Sequence, residues 1–407
     1  MGRKRQLTHR EESRIRHAIN DHVMHFSPTI SPAPKREDRN EIESIWGAVD
    51  YYREQGEKIL IMQPKYMGSY CDIYLHRDIE KTRFFSRKGY PVPSFVKHED
   101  LIEAVRWLHD LFKFEFNHFE LEVVIVQAEL MPWSALGKGL IQREFRGYEE
   151  CHQTHCDYIS NTALRVEVEA SKDVEFQQYL IDKGTLTKKE LRKKYPDHVV
   201  KQYDALSVIE IPRSDDYQDA IDIYREQVDI YGADGELHFR PFNWLKKIHS
   251  NGGENLNKSN VSGFAEVCAE GEPYVIINLN QSDEEIAAEV AHAYQIYREW
   301  TEDRKMEGAV IKPRTVWRED MAPMFKVRNP RYLQMIYGVR FLPEFDYYMS
   351  RRGIRKKMRC SINEWNIAQT LLRIPMNEIS PENKDYVRLV TARILEEDFE
   401  ATLDSRL

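Results

Sequence analysis

The spacing of apolar side chains changes period repeatedly along the chain, and each change marks an element. Ile45, Val49 and Tyr52 recur at helical spacing and predict a helix over Ile42 to Gln55. Leu101, Ile102, Val105, Leu108 and Phe112 form a second stripe, predicting an amphipathic helix from Lys97 to about Phe114. Short β-prone runs predict strands at Ile59 to Met62, Tyr70 to Leu75, Phe84 to a turn near Gly89, and Phe119 to Leu130. Further runs do so at Leu237 to Phe242, Tyr274 to Leu279, Val310–Ile311 and Met324 to Val327. Polar helix is expected from Arg10 to His25, followed by Ser27-Pro-Thr-Ile-Ser-Pro-Ala-Pro34, whose prolines prevent continuous helix. Helices dominate from Leu136 to Glu169 and from Asp173 to Tyr231, and Asp283 to Trp300 opens with Ser282 and Glu285 in a capping box. Beyond Arg331 the pattern is helical only: Tyr332 to Arg352 with a break at Pro343, Ile362 to Leu372, and Glu382 to Thr402. These elements predict an α+β core over residues 1–330 and an all-α C-terminal module over 331–407.

One stretch stands out chemically. Between the strands Ile59 to Met62 and Tyr70 to Leu75 lie Lys65, Gly68 and Ser69, which read as a short loop. A lysine there is either a solvated hairpin tip or a nucleophile beside a pocket. Far along the chain, Glu307-Gly-Ala-Val-Ile-Lys312-Pro is followed by Phe325-Lys326-Val-Arg328. Together the three form the constellation of a lysine nucleotidyl transferase. The amine of Lys65 must lose its proton to attack an α-phosphate, and desolvation with nearby cations favours the neutral form. Lys326, Arg328 and Lys312 would supply those cations and, with a magnesium ion, neutralise the α-phosphate as pyrophosphate leaves. Glu307 is the candidate metal residue, and Gly68 would let the backbone approach the nucleotide.

Composition bounds the setting. The 407 residues are ample for one large core with an appended module. Charged residues make up 31%, no run approaches the roughly 18 apolar residues of a membrane span, and no apolar segment follows Met-Gly-Arg-Lys-Arg. A cytoplasmic protein with no membrane partner is expected. Five cysteines argue against a disulfide framework. The net charge of -8 averages over an uneven distribution. Arg351, Arg352, Arg355, Lys356, Lys357 and Arg359 cluster near Arg328 and are candidates for holding RNA phosphates. A second cluster, Lys188, Lys189, Arg192, Lys193 and Lys194, reads equally as a solvated helix face. Cys151-His152-Gln-Thr-His155-Cys156 presents ligand pairs on helix faces about 100° apart, so a helix surface is expected there rather than a zinc site.

With these residues assembled, the sequence resembles the ligase domain of the bacterial polynucleotide kinase-phosphatase RNA-repair enzymes, within the superfamily of ATP-dependent RNA and DNA ligases and capping enzymes. Lys65-Tyr-Met-Gly-Ser69 is similar to the nucleotidyl-acceptor motif, Ser86-Arg87-Lys-Gly89 to the motif after it, and Ala128-Glu-Leu-Met-Pro-Trp-Ser134 to the carboxylate strand. Arg240-Pro-Phe242, Met306 to Pro313, and Phe325 to Gly338 are similar to the aromatic, Glu-Gly and cationic motifs. The resemblance implies an ATP-grasp-like nucleotidyltransferase fold of antiparallel sheets flanked by helices. It implies ATP and magnesium, with manganese as an alternative, and RNA 5′-phosphate and 3′-hydroxyl ends as substrates. Lys65 would be adenylylated, Glu129 would contact the ribose, Phe242 would stack on adenine, Gln63 would read its edge, and Lys326 would serve the α-phosphate. Gly68, Ser69, Lys312 and Arg328 would complete the nucleotide site, Arg87 would join the RNA contacts, and Glu307 would serve the metal. The kinase and phosphatase modules have no counterpart here, so an end-healing or methyltransferase partner is an expectation. Tyr70 stands where many relatives have arginine, which leaves open an inactive nucleotide- or RNA-binding protein.

Overall fold

The computed structural model describes residues 7–401 apart from 138, 163, 210, 212 and 213; the predicted helix end at Thr402 and the Met-Gly-Arg-Lys-Arg start lie outside the described residues. Its strands are β1 Ser31–Pro32, β2 Ile59–Lys65, β3 Ser69–His76, β4 Arg83–Ser86, β5 Leu121–Met131, β6 His238–His249, β7 Glu254–Leu256, β8 Val275–Asn278, β9 Gly308–Pro313 and β10 Phe325–Arg328. They form two five-stranded sheets, ordered β1-β10-β9-β2-β8 and β4-β3-β5-β6-β7. Every pairing is antiparallel except that of the two-residue β1, which runs parallel to β10. The sheets are joined by Tyr66–Gly68, the short connection between β2 and β3. No helix among the described residues is long and apolar enough to cross a membrane.

Strand periodicity explains the packing. In β3, Ile73 and Leu75 face a core shared with Leu101, Val105 and Leu108 of the helix His98–Leu111, while Tyr74 faces the opposite way. β5 carries apolar side chains on both faces because both are covered: Val124 and Val126 meet that helix, and Val123 and Ile125 meet the helices at the two ends of the chain. Ile15 and Ile19 from the helix His9–Asn20 share this last core with Trp365, Leu371, Tyr386 and Val390 from the helices Arg355–Leu372 and Lys384–Ala401. The first sheet packs Leu60, Met62, Ile277, Ile311 and Phe325 against the helices Ile45–Glu54 and Asp283–Arg298. The latter has the predicted capping box of Ser282 and Glu285.

Several boundaries differ from expectation. β2 runs through Pro64 to Lys65, so the lysine ends a strand rather than sitting on a loop. Pro64 is tolerated because β8 pairs only as far as Met62, leaving that edge of β2 without a ladder partner. β6 continues past Phe242 through Lys246, whose ammonium is buried and donates to the carbonyls of Leu372 and Ile374 at a helix C-terminus. The helix predicted from Ile362 begins at Arg355, and the one predicted from Tyr332 stops at Tyr337, before Gly338 at φ +103, rather than at Pro343.

Candidate active site

The register of the first sheet places the central lysine. Lys65 pairs with Gly308, so Glu307, the residue before β9, lies beside the lysine side chain. Lys65 Nζ donates to Glu307 Oε2 at 2.8 Å. Glu307 is buried and also bonded by the Tyr332 hydroxyl from the helix Pro330–Tyr337. Gly308 must be glycine, since a Cβ there would lie 2.1 Å from the Val327 carbonyl oxygen of β10. The same close approach brings Lys326 into the site. Burial and the neighbouring Arg328 hold its ammonium well below the ordinary lysine range, against the pull of Glu43.

A cavity of about 400 Å³ opens at the ends of both sheets, lined by Gln63, Lys65, Glu129, Phe242, Glu307, Lys312, Lys326 and Arg328 among others. Gln63 is buried, and its amide nitrogen has no hydrogen-bond partner among the described residues. Lys312 Nζ lies 4.5 Å from the centroid of the Phe242 ring, and burial pushes its ammonium down to about 7. Burial pushes Glu129 up to about 7, opposed by Lys65 and reinforced by Glu307. Such a set of groups can hold a planar base, carry a phosphate and keep an amine next to carboxylates.

Other expected residues are placed differently. Gly68 and Ser69 are not among the residues that line the cavity; a Cβ on Gly68 would lie 2.6 Å from Glu129 Cγ and 2.5 Å from Met131 Sδ, so the glycine makes room for the end of β5. Arg328 reaches the cavity wall, but its guanidinium is bonded to the buried carboxylate of Glu43. Arg352 is not a surface phosphate contact: it is buried against the same Glu43 and the Tyr337 hydroxyl. Lys357 is buried and lines the cavity, as does Arg87, while Arg351, Arg355, Lys356 and Arg359 are exposed. The cluster divides because a helix beginning at Arg355 turns Lys357 inward and its neighbours outward.

Sequence reasoning missed Glu43, Gln127, Glu272 and Thr29. Glu272 accepts from Arg240 at 3.1 Å and from Tyr66, and Gln127 donates to the Tyr70 hydroxyl at 2.8 Å. Tyr70 in turn donates to Asp72 at 2.5 Å, and Asp72 meets His25 at 2.9 Å, so the tyrosine at the arginine position is fixed within a buried network. None of the four is marked by a local pattern in the sequence. Among the described residues no group of three or more His, Cys, Asp and Glu side chains is arranged to hold a metal. Magnesium takes one or two carboxylates with substrate phosphates and water, and the buried Glu307 in the cavity wall fits that demand. Cys151, His152, His155 and Cys156 lie on the helix Gly147–Asn161, with Cys151 exposed and Cys156 buried.

A comparison with curated proteins finds no match. A chain in the structure of the Pnkp1/Rnl/Hen1 complex is 37% identical, with a TM-score of 0.86 over 97% of this chain and 98% of that chain. A chain in the structure of the Pnkp1/Rnl/Hen1 RNA repair complex is also 37% identical, with a TM-score of 0.84 over 99% of this chain and 100% of that chain. The family model of the PNKP adenylyltransferase domain, ligase domain, matches residues 12–380. The chain therefore belongs to the PNKP adenylyltransferase and ligase domain family and is an enzyme of the ATP-dependent polynucleotide ligase and adenylyltransferase class.

Proposed function

We propose that this chain seals RNA in three steps through a lysyl-adenylate, in a cytoplasmic setting. The observation that carries the reading is Lys65 Nζ at 2.8 Å from Glu307, in a cavity that also holds Phe242, Gln63 and Lys326. Phe242 and Gln63 receive adenine, and Glu129 meets the ribose. A proton leaves the Lys65 ammonium, toward a carboxylate or water. The neutral amine then attacks the α-phosphorus of ATP: a P–N bond forms, the P–O bond to the β-phosphate breaks, and pyrophosphate departs. Lys326 and Lys312 stabilise the charge on the α-phosphate oxygens. Glu307 would hold magnesium, or manganese, which supplies further charge neutralisation when bound. In the second step an RNA 5′-phosphate oxygen displaces Lys65 from phosphorus. In the third an RNA 3′-hydroxyl attacks that 5′-phosphate and AMP leaves. Arg351, Arg355 and Lys356, exposed beside the site in sequence, contact RNA phosphates, so RNA affinity falls with salt.

Incubation with α-labelled ATP and magnesium tests the reading. A covalent label is expected on the wild-type chain and not on Lys65→Ala, and no label between about pH 6 and 9 would overturn it. A second reading keeps adenylation but makes sealing depend on other proteins. It is favoured by the 37% identity, over nearly the full length, to a chain found in a Pnkp1/Rnl/Hen1 complex. Partners of the end-healing and methyltransferase kinds would then assemble with this chain. Sealing of a nicked 5′-phosphate, 3′-hydroxyl RNA by the purified chain alone decides against that dependence.

A further inference from the structure

Part of the cavity wall comes from neither sheet. Residues 27–30 form an extended strap along it, continuing into β1, whose Pro32 pairs with Lys326. The C-terminal helices hold this strap from behind. The Thr29 amide donates to Glu364 at 2.5 Å, Arg393 donates to the Ser27 carbonyl at 2.7 Å, and Arg393 pairs with Glu364 at 3.2 Å, all buried. On the cavity side, Arg87 Nη1 donates to Thr29 Oγ1 at 3.2 Å. Lys357 lies two turns before Glu364 on the same inward face of the helix Arg355–Leu372. Met358 and Ile362 of that helix pack on the core containing Phe325, next to Lys326 in β10. Strap and helix therefore run together toward Lys326, and Lys357 enters the cavity at that end.

Charge points to what belongs there. Seven basic and three acidic side chains line the cavity. Glu307 holds Lys65, Glu272 holds Arg240, and Glu43 behind the wall holds Arg328. A hydroxyl, a guanidinium and a buried ammonium on a braced wall make the donor set that recognises phosphate oxygens.

Resting on the lysyl-adenylate reading, we propose that Lys357, Arg87 and the Thr29 hydroxyl form a second phosphate subsite beside Lys326, separate from the α-phosphate position. The phosphate is either the pyrophosphate end of ATP or the 5′-phosphate of the RNA acceptor. Two assays distinguish these sources. The first measures lysyl-adenylate formation against ATP concentration, and its reversal by inorganic pyrophosphate. The second measures AMP transfer from purified lysyl-adenylate to a 5′-phosphorylated RNA without ATP.

Lys357→Met is expected to lose about tenfold or more in at least one assay, and Lys357→Arg to recover most of it. A loss in the first assay assigns the subsite to ATP, in the second to RNA, and in both to each in turn. Rates within about twofold of wild type in both, or Lys357→Arg as impaired as Lys357→Met, would overturn the subsite. Should Lys357→Met not fold, Arg87→Gln, on a different element, is measured in the same two assays, where a loss supports the subsite and unchanged rates in both overturn it. A wild-type chain that forms no adenylate sinks the lysyl-adenylate reading instead.

Discussion

Replacing Glu43 with glutamine probes how the cationic strand is held. Glu43 accepts the Arg328 amide at 2.9 Å and its Nε at 3.1 Å, and it also binds the terminal nitrogens of Arg328 and Arg352. The side chains are 0%, 5% and 3% exposed, so the carboxylate is the counter-charge for two buried guanidiniums. Burial alone would raise its pKa, but the two arginines bring it from 4.5 down to about 2. A depression of about 2.5 units corresponds to about 3 kcal/mol favouring the folded state while Glu43 is ionised. Because the folded value lies below the unfolded one, that stability is present above about pH 4.5 and is lost as pH falls toward 2, with about 2 kcal/mol gone by pH 3. Glutamine keeps the shape and removes the charge, leaving two desolvated cations together. Urea unfolding at pH 7 should show the variant about 3 kcal/mol less stable, and the gap should narrow by about 2 kcal/mol at pH 3. A gap under about 1 kcal/mol at pH 7, or one that does not shrink on acidification, would refute the assignment of Glu43 as the counter-ion.

Gly308→Ala should cost about 2 kcal/mol or more in urea unfolding, because the new methyl would sit 2.1 Å from the Val327 carbonyl, and adenylate formation should fall with it as Lys326 shifts. Lys312→Met should leave stability at pH 7 unchanged or higher. The lysine drops from 10.5 to about 7 on burial, so wild-type stability climbs with pH across that window, and a melting temperature equally pH-dependent in the variant would exclude a buried ammonium. Gln63→Leu should keep stability within about 1 kcal/mol yet lower the preference for ATP over GTP in the labelling assay by about tenfold; an unchanged preference removes Gln63 from base recognition.

What the sequence made legible is what local spacing controls. The order of Lys65, Glu307 and Lys326 follows from three short motifs, and an antiparallel register turns them into neighbours without further information. The strand through Lys65 is hidden in the sequence because Pro64 normally ends a strand, and its tolerance depends on where β8 stops, a fact about another segment. Arg328 and Arg352 read as phosphate ligands because a buried partner 285 and 309 residues away leaves no local trace. Lys357 reads like its exposed neighbours because the run Arg355-Lys-Lys-Met-Arg has no apolar stripe to reveal that helix already begins there.

These differences share a cause that bears on how the enzyme is built. The groups that sequence order associates belong to the two sheets, whereas Glu43, Thr29, Tyr332 and Lys357 come from the stretch before β2 and from the helices after β10. Tyr332 bonds Glu307, and Glu43 fixes Arg328 two residues from Lys326. Thr29 sits between Arg87 and the C-terminal Glu364. The groups around Lys65 are thus braced by residues from outside the two sheets, while the core that joins Ile15 and Phe26 to Trp365 and Tyr386 ties both ends of the chain together. The surroundings of Lys65 and its basic neighbours are therefore set partly from outside the sheets, and the C-terminal helices contribute Lys357 to the cavity wall as well as presenting basic residues at the surface.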